Sequence, residues 1–431
     1  MAALTPVGIR ENSRQILQQL LQVLLVGMTI GMMRNVVPAL AEAEFGVPRG
    51  SFLLLVSFVV AFGVVKGAMN FVAGRLAERL GRRRVLIAGW IVAMPIPVLI
   101  HFAGSWWWIV LATVLLGVNQ GLTWSMTQTM KLDLTRADQR GLVLGLNEFS
   151  GYTGLAIAGI LTGYAATLVG PREGLLAFGA TVIALATILA WWQADETFPW
   201  AQAQDRDAAR PDPDAAGRPR EAARLAAHPT NREVFAQMSW RDRRLAALCQ
   251  AGLVEKFVDA LVWVVWPLYL HQRGVSLPGI GWIVGVYGFT WGISQLVTGR
   301  MSDRIGRHRL NTFGMWTCGA GVAMMPIAAG TFGWTAAAAV TGFGMAMLYP
   351  NLSAAVADIA QPGWRASAIG IYRFWRDLGY AIGALGMGLV ALWGGQLQTT
   401  FWFVALAMLL SGLVLHALGE ETHPGLRRVP R

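Results

Sequence analysis

The chain has 431 residues, of which 55% are hydrophobic and 14% charged, with a formal net charge of +11. Apolar runs of about 20 residues, the length that crosses a ~30 Å hydrocarbon core, recur from end to end, and a soluble domain could not bury so much apolar surface. A basic balance of this size suits nucleic acid, but here the Lys and Arg residues fall in short segments between the apolar runs, which excludes a nucleic-acid face.

The runs predict twelve transmembrane helices at roughly 16–41, 51–74, 85–102, 106–130, 141–165, 173–192, 245–270, 280–299, 310–329, 334–356, 366–391 and 399–418. With the N-terminus inside, 27 of the 35 Lys and Arg lie in the segments assigned to the cytoplasm and three in those on the other side. That asymmetry is the positive-inside pattern, so both termini and the long central loop are expected in the cytoplasm, with the body in a bacterial inner (plasma) membrane. Met1 to Arg14 is polar and the first apolar run is long enough to span, so no cleavable signal is expected. Cys249 and Cys318 fall in or beside helices and imply no disulfide framework.

Between helices 2 and 3 the chain reads Gly74-Arg75-Leu76-Ala77-Glu78-Arg79-Leu80-Gly81-Arg82-Arg83-Arg84. The pattern returns between helices 8 and 9 as Gly299-Arg300-Met301-Ser302-Asp303-Arg304-Ile305-Gly306-Arg307-His308-Arg309, an offset of 225 residues. Arg140-Gly-Leu-Val-Leu-Gly-Leu-Asn-Glu-Phe and Arg365-Ala-Ser-Ala-Ile-Gly-Ile-Tyr-Arg-Phe repeat at the same offset. Two stretches in one register mean a duplicated unit. Each copy reads as a tight charged loop, its acidic residue placed where the next helix begins, because a carboxylate suits a helix N-terminus.

This Gly-x-Leu-Ala-Asp/Glu-Arg-x-Gly-Arg-Arg pattern resembles the loop signature of the major facilitator superfamily. The resemblance implies an all-α membrane protein with twelve helices in two pseudo-symmetric six-helix bundles around a central cavity, alternating between openings on the two sides. The expected division is an N-terminal bundle over 1–192, a cytoplasmic linker over 193–244, a C-terminal bundle over 245–418 and a tail over 419–431. The resemblance further implies that the signature loops, with Gly74, Glu78, Arg79, Gly81 and Arg82 in one and Gly299, Asp303, Arg304, Gly306 and Arg307 in the other, latch the halves in the outward-facing state. It also sets helix 5 against helix 8 and helix 11 against helix 2, with a monomer sufficing.

Helix 1 carries Arg34, whose charge is costly in lipid and is expected to face the bundle interior, or else to snorkel to the outer interface. Helix 2 carries Lys66 and Asn70, and Trp106 to Trp108 form an interfacial belt. Helix 4 holds Asn119-Gln120-Gly121; drug–proton antiporters of the superfamily commonly carry an Arg three residues before that Gln-Gly pair, where this chain has Gly117. Met126 and Met130, one turn apart, are weak candidates for a soft metal such as Cu(I), against ordinary packing; no cofactor or resident metal is expected. Helix 5 carries Glu148 and the close-packing spacing Gly159-x-x-x-Gly163. The linker is rich in Ala, Arg, Asp and Pro and reads as solvated, with a surface helix near Asn231 to Met238. Glu255, Lys256 and Asp259 on helix 7 pair in part. Trp291 and Gln295 on helix 8 are the repeat mates of Lys66 and Asn70, and helix 11 holds Arg373, Arg376 and Asp377; these five with Arg34, Lys66, Asn119 and Gln120 are the residues expected to bind the solute.

At ~1.5 Å per residue, Glu148 and Lys66 sit about 12 Å above the cytoplasmic boundary, level with Arg373. The cluster is either a structural lock, Glu148 with an Arg or Lys66 with Asp377, or a path. On the functional reading Glu148, with Asp259 as second candidate, takes up a proton when its surroundings dry. Arg34, Lys66, Arg373 and Arg376 outnumber the carboxylates beside them, and an Arg fork suits a carboxylate or phosphate, so a small anionic or zwitterionic solute moved by proton-coupled alternating access is expected. Proton-driven efflux of amphipathic drugs is the alternative, followed by soft-metal transport or a non-transporting sensor. The sequence holds no metal-ligand cluster, Ser/His/Asp arrangement or ATP-binding Gly-x-x-x-x-Gly-Lys-Ser/Thr loop, so an enzyme is not expected.

Overall fold

The structure, a computed structural model, describes residues 6–46, 52–208 and 230–426. Twelve long helices follow one another: α1 Ser13–Phe45, α2 Phe52–Leu80, α3 Arg82–His101, α4 Trp106–Leu134, α5 Arg140–Val169, α6 Pro171–Gln193, α7 Arg243–Gln272, α8 Leu277–Ile305, α9 Arg307–Ile327, α10 Gly330–Ile359, α11 Arg365–Gly394 and α12 Gln398–Leu418. Helices answer the bilayer's first demand, since no backbone polar group in hydrocarbon can turn to water. α3 bends at Met94, where Pro95 supplies no N–H to the ladder.

Ten of these helices are long and apolar enough to span by composition alone, and α7 and α9 are the two that are not. α7 is interrupted by Glu255, Lys256 and Asp259, which are buried inside the protein rather than turned to lipid. α9 opens on the polar Arg307-His308-Arg309 and carries Asn311. The apolar core divides accordingly. One cluster gathers Val26, Trp90, Leu116, Met126 and Ile183 from α1, α3, α4 and α6, and the other gathers Leu261, Trp266, Met315, Leu348 and Phe401 from α7, α9, α10 and α12.

The halves meet along two seams, α2 with α11 and α5 with α8, as the resemblance implies. Small residues set the approach: a Cβ on Gly141 would fall 2.3 Å from the Gly299 carbonyl oxygen, and one on Gly74 would fall 2.5 Å from that of Ala366.

Two expectations about connections are corrected. The signature stretches are not loops from Gly74 and Gly299 onward. Both remain helical through Leu80 and Ile305, and the turn is the single Gly81 (φ 92°) or Gly306 (φ 103°), a conformation that side chains other than glycine rarely adopt. The linker is also less solvated than its composition suggests. Phe198–Ala208 is a helix under the N-terminal half, and Asn231–Ala236 continues into a π-turn, Gln237–Arg241; residues 209–229 lie outside the described residues. Asp242 then caps α7 by accepting from the Arg244 and Leu245 amides. Partial burial would raise that carboxyl, but bonding to Arg244 outweighs it and holds Asp242 below the usual carboxylate range.

Candidate functional site

At the signature end, the Asp303 carboxylate does not cap the helix that follows it. It accepts from the amides of Gly141 (3.0 Å) and Leu142 (2.9 Å) at the start of α5, in the other half. Glu78 likewise accepts from the Ser367 amide (2.9 Å) at the start of α11. Orphan amides and a partial positive charge at a helix N-terminus make this a favourable place for a carboxylate, but across the seam. The next helices are capped by residues that sequence reading passed over. Glu196 takes the Arg82 and Arg83 amides at 2.9 and 3.1 Å, and Glu421 takes those of Arg307 and His308 at 3.0 and 3.3 Å. Their own 225-residue offset was the available signal.

Arg82 and Arg307 are buried. Arg82 donates to Asp133 (3.0 Å), and Arg307 donates to Asp358 (2.7 Å) and Asp303 (2.7 Å). Arg140, from the N-terminal half, joins the same Asp358 at 2.8 Å. Arg79 and Arg304 are exposed. Both seams are therefore bonded shut at this end.

About eight residues further along the helices, roughly 12 Å at the rise of an α-helix, a polar layer crosses the protein. Trp124 of α4, unremarked in the sequence, is its hub on the N-terminal side: its Nε1 donates to Glu148 Oε1 (3.1 Å), and its ring lies 5.3 Å from Lys66 Nζ and 6.0 Å from the Arg373 guanidinium. Glu148 Oε1 also accepts from Asn147 (2.8 Å) and Gln128 (3.3 Å), while Oε2 accepts from nothing among the described residues. Glu148 and Arg373 meet through an amide, because Arg373 Nη1 donates to the same Gln128 side chain at 3.3 Å. Lys66 pairs with Asp377 at 3.8 Å, and Asn70 donates to Asp377 at 2.6 Å and accepts from Arg373 Nε at 3.3 Å.

On the other side, Lys256 Nζ donates to Asp259 (2.5 Å) and to the Tyr349 hydroxyl (2.6 Å). Tyr287 and Tyr380 each donate to Asp259 at 3.0 Å, so Asp259 has three donors and Glu148 has an oxygen to spare. The Tyr152 hydroxyl donates to that of Tyr349 at 3.0 Å, joining the halves, and the Trp291 ring lies against Tyr152 (4.0 Å), Tyr349 (5.1 Å) and Tyr287 (5.6 Å). Gln295 is buried with neither amide atom bonded among the described residues. Arg376 lies beneath Tyr349, 4.4 Å from the ring, with no hydrogen bond to any of its three nitrogens among the described residues and Asp377 at 3.6 Å.

Several expected members stand elsewhere. Asn119 and Gln120 tie α4 to its neighbours, donating to the carbonyls of Gly89 (2.9 Å) and Val26 (2.9 Å). Met126 and Met130 are buried in the N-terminal apolar core. Arg34 lies on α1, and its side chain is outside the described residues. Lys256 and Glu255, which the count of cations and carboxylates from sequence omitted, are both in the layer. It now sets Lys66, Lys256, Arg373 and Arg376 beside Glu148, Glu255, Asp259 and Asp377.

Two six-helix bodies latched at one end over a charged midplane layer match a known family. A family model of the Major Facilitator Superfamily covers residues 20–254 and 248–431. The chain belongs to the major facilitator superfamily. Among its relatives is an uncharacterized MFS-type transporter of Salmonella typhimurium, 24% identical over 80% of this chain and 82% of that one. A Cupriavidus pinatubonensis protein named "Probable 4-methylmuconolactone transporter" is 25% identical over 87% and 82%. The fold is shared with the human organic anion transporter MFSD10 (TM-score 0.75, 18% identity, 94% of this chain and 99% of that one) and with the proton:xylose symporter XylE (TM-score 0.72, 16% identity, 95% and 97%). This superfamily member is a multi-pass membrane transporter.

Proposed function

We propose that the protein is a proton-coupled secondary transporter that moves a small organic anion or zwitterion by alternating access through the layer between its halves. Residues 1–192 and 245–418 are the two moving bundles, 193–244 is the cytoplasmic linker and 419–431 the tail. The body sits as a monomer in a bacterial inner membrane with both termini cytoplasmic. The observation that carries this reading is Arg376, a buried guanidinium with every nitrogen free of hydrogen bonds among the described residues. Its ion-pair neighbour Asp377, at 3.6 Å, makes no hydrogen bond to it; a buried charge left without hydrogen bonds is costly, and a planar fork is the side chain best matched to a carboxylate. The Tyr152, Trp291 and Tyr349 rings beside it suit the apolar body of such a solute. The organic anion and lactone named for two similar proteins point to the same class.

In this orientation the signature-end latches close the cytoplasmic side, and the charged side chains of the layer are buried. Glu148, through its free Oε2, remains a candidate proton carrier, with Asp259 the weaker because three donors hold it. The test is flux in proteoliposomes under an imposed pH gradient, with a panel of aromatic and aliphatic monocarboxylates, lactone acids, phosphate esters and lipophilic cations. Gradient-dependent anion flux that Arg376→Gln abolishes is expected. Movement of lipophilic cations alone, unaffected by Arg376→Gln, would replace this reading with drug efflux, which the aromatic wall would also serve.

A further inference from the structure

Four carboxylates lie in the central layer, and three are held by donors. Asp259 accepts from Lys256, Tyr287 and Tyr380, Glu148 from three side chains, and Asp377 from Asn70. Glu255 is the exception. It is 0% exposed, neither oxygen accepts a hydrogen bond among the described residues, and its ion-pair neighbour Lys256 stands at 3.7 Å, already bonded to Asp259 and Tyr349.

A second feature leads toward it. The interior of the C-terminal half contains buried polar groups without partners among the described residues, the Asn311 side-chain amide, the Ser353 hydroxyl and the Tyr372 hydroxyl, which lie at successive depths along α9, α10 and α11 from the signature end. Tyr372 lies beside Glu255, since a Cβ on Gly252, one turn earlier on α7, would fall 2.7 Å from its ring. Asn311 lines a narrow cavity of about 10 Å³ at the signature end, together with Leu248, Arg244, His308 and Glu420. Leu248 is two turns of α7 from Glu255, roughly 10 Å. Buried polar groups are ordinarily bonded, and exceptions at stepped depths between this cavity and a carboxylate without hydrogen bonds suit the passage of a proton.

We propose that Glu255, in place of Glu148 or Asp259, is the carboxyl group that takes up and gives up the coupling proton, reached from the signature end through the interior of the C-terminal half. This rests on the transporter reading above. The groups facing Glu255 are Lys256 and Asp259 on its own helix, Cys318 on α9, Tyr372 and Arg376 on α11, and Glu148 across the layer on α5. A proton arriving from water forms an O–H bond on one Glu255 oxygen and neutralises it. Lys256 then remains paired by Asp259, and Arg376 no longer feels the Glu255 charge, so a solute carboxylate meets less competition for the guanidinium. Return of the proton to water restores the carboxylate and favours release of the anion. Proton and anion are thus taken up together.

The test needs no substrate. Infrared difference spectra between alkaline and acid pH are recorded on the full-length protein in lipid, following the carbonyl-stretch band of a protonated carboxyl group. The expected result is a band that Glu255→Gln removes, Glu255→Asp keeps at a shifted position, and Glu148→Gln and Asp259→Asn leave in place. Asn311→Leu is expected to retain the band but slow its shift on transfer to heavy water several-fold. Absence of any such band in the wild type, its survival in Glu255→Gln, or its loss in Glu148→Gln instead would each overturn the proposal. Glu255→Asp guards against misreading a variant that fails to fold. The transport reading fails separately, on flux, if no anion of the panel moves.

Discussion

The two seams between the halves are built from related sequence yet hold by different chemistry. The α2–α11 seam is charged at its centre, where Lys66, Asn70, Arg373 and Asp377 interlock, and light at its base, where Glu78 takes a single amide from Ser367. The α5–α8 seam reverses this. Its centre is aromatic, Tyr152 on Trp291, while at its base Asp303 takes two amides and Arg307, and Arg140 and Arg307 share Asp358. Duplication supplied one frame, and substitution at matched positions, Lys66 to Trp291 and Glu148 to Arg373, divided the work. The base of α5–α8 holds the closed state, and the middle of α2–α11 holds the charges.

If the charged centre is a true interlock, removing one member leaves others buried and unpaired. Asp377→Asn, which strands Lys66 and Arg376, is expected to cost about 3–5 kcal/mol, read as a large fall in thermal unfolding temperature in detergent. Lys66→Met should cost less, because Asn70 and Arg376 still engage Asp377. The pair Lys66→Met with Asp377→Leu should recover part of the loss, and strictly additive losses would mean the two charges do not interact.

The difference between the bases is tested next. Asp303→Asn gives up charge-assisted bonds worth roughly 1.5–3 kcal/mol and should open the signature end. Pulsed dipolar distances between spin labels at the exposed Asp138 and Arg300 would gain a longer population. Glu78→Gln, with one amide at stake, should shift the matching distance across α2–α11, labelled at Arg79 and Gln361, by less. Equal shifts would erase the contrast between the seams.

The smallest effect belongs to the aromatic centre. Tyr152→Phe removes the hydroxyl bond to Tyr349 and keeps the ring on Trp291, so about 0.5–1.5 kcal/mol is at stake. A modest rise in opening rate, seen as faster quenching of tryptophan fluorescence by a soluble quencher, is expected; no change would assign the contact to ring packing alone.

The amino-acid sequence by itself determined the twelve helices, their duplication and the level at which charges collect, because hydropathy, basic loops and a constant offset are local in the chain and the bilayer enforces them. It marked Glu148, Lys66 and Arg373 by their shared depth, and the structure gathers all three about Trp124. It could not say that Glu78 and Asp303 cap helices of the opposite half, since a helix N-terminus attracts any carboxylate that reaches it and reach across a seam is not written in spacing. It gave Asn119 and Gln120 to the solute, whereas tertiary packing spends them on neighbouring backbone. That Glu255 and Arg376 go without hydrogen bonds among the described residues also waited for the tertiary structure. A charged residue in an apolar run announces its cost, but which neighbours meet that cost is settled only when every other helix is in place.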